Sequence, residues 1–197
     1  EDEQVVAQTL LSAALQEYPS RRVVLLIDDP PNPSSPTDAA SLSKIRGLAS
    51  RIQAPLSDLA HVFQNAESQF LDRSQNSEFT VRREMIRLAC LYEIAADWLE
   101  SKAGEYPLAN HTDQFFVGHI LRLPAGAHRA RARVLREKSK KRDCLPALQE
   151  IAREYRRLAT LFHVEITSFE RKRFINLSHE SNKAMNLNSY IGLAGKA

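Results

Sequence analysis

Residues 23–29, Val-Val-Leu-Leu-Ile-Asp-Asp, form the most informative segment of this chain. Five consecutive apolar residues, three of them β-branched, describe a short strand buried on both faces, as strands in parallel sheets are. Two carboxylates end it abruptly. Residues 30–36, Pro-Pro-Asn-Pro-Ser-Ser-Pro, then place four of the chain's nine prolines within seven positions. Proline lacks the N–H that helix and central strand require, so this run is a stiff loop.

Upstream, residues 4–17 set Val6, Leu10, Ala13 and Ala14 on one helical face. Tyr18-Pro19 closes that helix, because the residue before proline is pushed out of helical geometry. Downstream, from about Thr37 to Leu161, helical periodicity takes over. Val81, Met85, Leu88, Tyr92, Ala95 and Leu99 make one seam at alternating spacings of four and three. Leu148, Ile151, Tyr155, Leu158 and Phe162 make another. Weaker stretches cover 38–54, 57–72, 112–122 and 127–141, with breaks expected at Pro55, Pro107, Pro124 and Pro146. The last portion changes again. His163-Val164-Glu165-Ile166-Thr167 alternates polar and apolar residues and suits a strand. After a polar loop at 178–181, a helix opens near Asn182, with Ser181 or Asn182 as its N-cap.

The expected order is therefore helix, strand, helical block, strand, helix. Three segments follow from it: 1–37 and 162–197 as parts of one α/β unit, and 38–161 as a helical insertion.

Composition narrows the function classes. The chain has 197 residues, is 43% hydrophobic and 26% charged, and carries a net charge of +3, ordinary values for a folded protein. No window approaches the roughly 18 uninterrupted apolar residues of a membrane helix, and the acidic, polar start does not read as a signal peptide. Six glycines are too few for phosphate-binding glycine loops. Cys90 and Cys144 fall in no CxxC or His-containing cluster, which leaves a disulfide framework and a zinc site unsupported. Cys90 sits in an apolar helical pattern and is expected to be a buried, inert thiol. The six histidines show no ligand spacing.

Two places can carry chemistry. Asp28 and Asp29 would project from the carboxyl end of a parallel strand, where open α/β sheets bind ligands. There they can accept hydrogen bonds from a nucleobase imide or ribose hydroxyls, bind a metal, or simply cap a turn. Asn182-Lys183-Ala184-Met185-Asn186-Leu187-Asn188 puts a lysine and asparagines at a helix start, a setting that favours phosphate, though an ordinary polar first turn looks the same.

Taken together, Tyr18-Pro19, the strand ending in Asp28-Asp29 and the Lys183–Asn188 element resemble the cellulose-synthase-like family 2 glycosyltransferases. That family shows a helix ending in Tyr-Pro, an apolar strand ending in a double aspartate, and a later Lys-Ala-x-Asn-Leu-Asn helix start. The resemblance covers about 60 residues at the two ends of the chain and leaves the helical middle without a counterpart. It implies a partial GT-A (Rossmann-like) fold, of class α/β, interrupted by the insertion. It implies transfer of a sugar from a nucleotide-sugar donor, usually a UDP-sugar, to a glycan acceptor, by a catalytic domain at the cytoplasmic face of the inner membrane. By position, Asp28 and Asp29 inherit the place against the uridine. Lys183 matches the lysine beside the diphosphate, and Asn186 and Asn188 shape the same wall. Arg171 and Arg173 are both candidates for the family's basic residue after the third strand, with Arg173 carried in the expected site, and His179 stands near the family's His-Ala-Lys run. This sequence departs from the family in having Pro30 where glycine is common. It also has no Asp-x-Asp, the motif that chelates Mg²⁺ or Mn²⁺ in the family. The resemblance therefore implies that this chain is the donor-binding part of a longer enzyme whose metal ligands and catalytic base lie outside it.

A further signal lies in the middle. Residues 128–142 hold eight Lys or Arg against one Glu. Such a run can rest on anionic lipid headgroups or be a solvated face paired with neighbours such as Glu150 and Glu154. Nucleic acid is not expected, because no aromatic residue interleaves the charges. The competing reading of the whole chain is a non-enzymatic helical module that engages a membrane surface, nucleic acid or a protein partner through this run.

Overall fold

The computed structural model describes residues 3–141, 145–180 and 182–194. Its elements run α1 (Glu3–Ala14), β1 (Arg22–Ile27), α2 (Pro36–Ser74), α3 (Val81–Glu105), α4 (His111–Phe115), a π-helical segment (Phe116–Arg122), α5 (Leu123–Lys140), α6 (Leu148–Leu161), β2 (Glu165–Glu170), a 3₁₀ turn (Arg171–Arg173) and α7 (Lys183–Ala194). The class is α/β, mostly helical with one small parallel sheet. Among the described residues no helix is long and apolar enough to cross a membrane.

The chain divides into two compact units. The first gathers the residues up to Ala14, Arg21–Leu56 and Val164 onward. Its sheet has two strands, β1 and β2, paired in parallel with Arg22 opposite Glu165 and Ile27 opposite Glu170. Gln53 of α2 caps the start of β2, donating to the Val164 carbonyl at 2.7 Å and accepting from the Ile166 N–H. Arg46, one helical face further back, donates to both oxygens of the buried Glu170 at 2.9 and 2.6 Å and to the Pro31 carbonyl at 3.2 Å. One guanidinium thus ties the proline loop to the carboxyl end of the sheet. On the other side Phe169 meets Phe174 and Tyr190, with ring centroids 5.7 and 5.5 Å apart.

The second unit comprises Leu15–Ser20 and Ser57–His163. Its core follows the two sequence seams: Met85, Leu88, Tyr92, Ala95 and Leu99 of α3, and Ile151, Tyr155 and Leu158 of α6, are all buried. Rings of α2 pack on the α6 seam, Phe70 stacked on Tyr155 at 4.5 Å and Phe63 on Phe162 at 5.6 Å. Each such ring, fully buried, stabilises by about 1.5–3 kcal/mol relative to exposure. Trp98 lies edge-on to Phe162 at 5.2 Å.

Several expectations are corrected. Residues 38–54 and 57–72 are one helix, α2, which runs through Pro55. A proline inside a helix forfeits one backbone hydrogen bond and crowds the carbonyl four residues back, at roughly 3 kcal/mol. Buried Leu48, Ala49, Leu56, Leu59 and Phe63 on both sides hold the helix together regardless. The first half of α2 groups with the unit that contains the sheet, and its second half, from Ser57, with the helical unit. Pro124 is likewise absorbed. Helix continues from His111 to Lys140, and the Leu123 N–H reaches back five residues to Gly118. That wider turn gives the ring the room an α-turn denies it. Strand β1 is half-buried along most of its length, only Ile27 being buried, because one edge and part of one face border a cleft. Strand β2 starts at Glu165, two residues later than the alternating pattern suggested. Cys90 is exposed, since it falls off the Met85–Leu88–Tyr92 stripe.

Candidate functional site

The parallel register builds the site. With Ile27 opposite Glu170, the next residues of the two strands, Asp28 and Arg171, are brought side by side at the carboxyl end of the sheet. Arg171 Nη2 donates to Asp28 Oδ1 at 2.7 Å, and Lys172 Nζ lies 3.9 Å from the same oxygen. The Arg171 side chain is entirely buried and Lys172 nearly so. Arg171 also donates to the Ser178 and Glu180 carbonyls, fastening the polar loop that leads to α7. Its Nε is buried without a hydrogen-bond partner. Asp28 Oδ2 remains an acceptor, and Asp29 beside it is exposed.

Helix α7 supplies the opposite wall. Asn182 is its N-cap, its Oδ1 accepting from the N–H groups of Ala184 at 2.9 Å and Met185 at 3.2 Å. The alternative cap, Ser181, lies outside the described residues. These two N–H groups are therefore spent on the cap, and the positive character of the helix start rests on Lys183 and the helix dipole. One turn on, Asn186 is 3% exposed and its Oδ1 has no hydrogen-bond partner. A buried acceptor left open costs about 1–3 kcal/mol.

Asp28, Asp29, Lys183 and Asn186 line a single cleft of about 520 Å³, with Val6, Leu25, Leu26, Ile45 and Leu187 as its apolar lining. Four of the seven expected site residues thus share one cavity although more than 150 positions separate the aspartates from the lysine. The other three lie outside this lining. Asn188 is exposed on α7. Arg173 is exposed and pairs with Glu170 at 3.5 Å. His179 is exposed, with Nε2 3.3 Å from the Phe174 carbonyl. The basic residue that meets the acidic pair is Arg171, two positions earlier than Arg173. Sequence spacing did not separate the two; strand register does.

Two cations, Arg171 and Lys172, stand behind Asp28, and Lys183 stands across from it. The lining itself holds two carboxylates and one lysine, and the two cations behind Asp28 offset its charge. The cleft can take a ligand that offers an anionic group to Lys183 and hydroxyl or imide donors to Asp28 Oδ2 and Asp29. A metal cage is not formed: among the described residues no three His, Cys, Asp or Glu side chains converge, and Asp28 is already engaged by cations.

The basic run behaves as a paired surface over half its charges. Arg129 pairs with Asp97 and Glu100, Arg131 with Glu154, Arg136 with Glu93 and Lys140 with Glu137. Glu150 instead serves the start of α6, accepting from the Ala147 N–H at 3.2 Å. Arg142 lies outside the described residues.

No family model matches this chain, and no curated protein or solved structure is significantly similar to it. The cleft has to be interpreted from its own chemistry.

Proposed function

We propose that the unit containing the sheet binds the donor of a glycosyltransferase, a nucleotide-sugar and most naturally a UDP-sugar, in the cleft between the end of β1 and the start of α7. The observation that carries this is the shared cleft: an acidic pair and a lysine, with Asn186 beside them, line one cavity of about 520 Å³, within the range of small-ligand sites. In this reading the sheet, α1, the first half of α2 and α7 are part of a GT-A fold, and the helical unit is an insertion between its strands.

The residues divide the ligand between them. Asp29 and Asp28 Oδ2 accept hydrogen bonds from the base imide or ribose hydroxyls. Arg171, by its hydrogen bond, and Lys172, 3.9 Å from the same oxygen, orient the Asp28 carboxylate. Asn186 lines the same cleft, and a rotation of its amide would present Oδ1 to a ribose hydroxyl and remove the cost of leaving it open. Lys183, aided by the α7 dipole, neutralises the diphosphate. The Mg²⁺ or Mn²⁺ that the family uses to stabilise the leaving diphosphate finds no ligand set among the described residues, and no step here depends on it. A glycan acceptor, and a place for the whole enzyme at the cytoplasmic membrane face, belong to the same proposal.

Calorimetric titration of the chain with UDP, with and without Mn²⁺, tests it. Binding is expected, with Lys183→Ala costing UDP about tenfold while uridine is little affected, because a charge-assisted contact to the diphosphate is worth about 1.5–3 kcal/mol. Asp29→Ala should weaken both. No heat with either ligand, or equal heats in all variants, would overturn the donor-binding reading.

A further inference from the structure

A second polar cavity lies within the helical unit, at the turn from α2 into α3, and it shares no residue with the cleft. It measures about 450 Å³ and is bordered by Arg73, Arg83 and Arg87, with Asn76, Ser77 and Thr80 between them. Glu84, 1% exposed, lies at its base. Its carboxylate accepts Nε and Nη2 of Arg73 at 3.0 and 2.9 Å, Nη1 of Arg87, and the Tyr155 hydroxyl at 2.7 Å. One buried anion thereby fixes two guanidiniums side by side at the cavity wall.

Neither guanidinium is saturated. Glu84 takes Nε and Nη2 of Arg73 and only Nη1 of Arg87, and the Arg83 guanidinium forms no ion pair among the described residues. Thr80 is the N-cap of α3, with extended backbone (φ −134°, ψ 124°), yet its side chain does not cap the helix. The first turn of a 25-residue helix therefore opens beside the three arginines. Three guanidiniums face two carboxylates, Glu84 and the exposed Glu78, so the cavity carries an excess positive charge. A carboxylate ligand would satisfy one guanidinium fork. Three converging arginines with a hydroxyl and a helix N-terminus supply more donors than that, and match the several oxygens of a phosphoryl dianion.

We propose that this cavity is a phosphoryl-binding site, with Arg83 and the outward N–H groups of Arg73 and Arg87 as its ligands and Glu84 as the positioning residue that holds the pair. The site is independent of sugar transfer and stands if the donor cleft proves empty of function.

The test uses the whole chain at low ionic strength. Thermal unfolding and amide NMR shifts are followed during titration with inorganic phosphate, against sodium chloride of equal ionic strength. In parallel, flotation is measured with phosphatidylcholine vesicles with and without phosphatidic acid. Arg83→Ala is exposed and removes no internal contact, and Arg82→Ala, on the same helix but outside the cavity lining, is its control. Phosphate is expected to raise the melting temperature above chloride, with shifts at residues 76–87 and about tenfold weaker binding in Arg83→Ala but not in Arg82→Ala. Binding to phosphatidic acid vesicles alone, lost in Arg83→Ala only, supports the site and assigns the phosphoryl group to a lipid headgroup. Equal losses in the two variants, or no response to phosphate or to acidic vesicles, overturns it.

Discussion

In the helical unit Glu84 is almost completely buried and accepts four hydrogen bonds, from Arg73, Arg87 and Tyr155. Asp113, as deeply buried, accepts from the backbone of Ala109 and Asn110. Glu154, half-buried, holds Tyr92 and Arg131. Around the cleft, two buried polar groups of the unit containing the sheet differ from these three carboxylates. Arg171 has no exposed surface yet leaves Nε unanswered, and Asn186, in the cleft lining, leaves its buried Oδ1 unanswered. A buried polar group whose hydrogen bonds are complete adds rigidity. One left open stores a cost that a ligand can remove. The contrast teaches where stability and where binding are expected to reside.

The strongest way to break this contrast is at Glu84. Glu84→Ala strands two guanidiniums and a tyrosine hydroxyl, and should cost about 3 kcal/mol in chemical denaturation. That is the lower end for a broken buried pair, because Arg87 is half-exposed and screened. A loss under about 1 kcal/mol would mean that the network is ornamental.

Acid titration sharpens the same point through two groups of opposite kind. Burial raises the Glu84 carboxyl, but hydrogen bonds from Arg73, Tyr155 and Arg87 outweigh it and hold the group below its ordinary value. A depressed carboxyl contributes stability that is present above about pH 4.5 and is lost as pH falls through the folded value. Burial beneath Tyr92, whose ring is stacked 5.7 Å away, depresses His128 against the pull of Glu17. The unfolded chain therefore takes up that proton first, and stability declines as pH falls below about 6.5. Each step has a limiting slope of about 1.4 kcal/mol per pH unit. His128→Phe should flatten the upper step and leave the lower one intact; Glu84→Gln should do the reverse.

Asn186 should show the opposite sign. Asn186→Leu removes the open acceptor and is expected to stabilise the fold by about 1 kcal/mol while weakening UDP. Destabilisation together with unchanged UDP binding would show that the amide serves the fold and not a ligand. Smallest of all, Cys90→Ser should change stability by no more than about 0.5 kcal/mol, and the native thiol should react readily with a maleimide. A protected thiol would contradict its exposure.

Much of this was legible in the residues. Both strands, the two core seams, the proline loop and the break at Pro107 follow from local spacing, because burial imposes a period of about 3.6 residues on helices and of 2 on strands. Asp28, Asp29, Lys183 and Asn186 were legible as polar groups at element ends. What escaped was cooperative. Pro55 and Pro124 each break a helix on local rules, but packed neighbours and a π-turn carry the chain through. Arg171 and Arg173 stand two apart in one basic cluster, and only the pairing of Ile27 with Glu170 sends one to Asp28 and the other to solvent.

The order of helices and strands, and the chemical types at their ends, are properties of the sequence alone, since they depend on neighbours within a few residues. The meeting of Asp28 with Lys183, the union of Arg73 and Arg87 on Glu84, and the open oxygen of Asn186 belong to tertiary structure. Each depends on which distant side chain arrives to satisfy a charge or a lone pair, and no local pattern encodes that arrival.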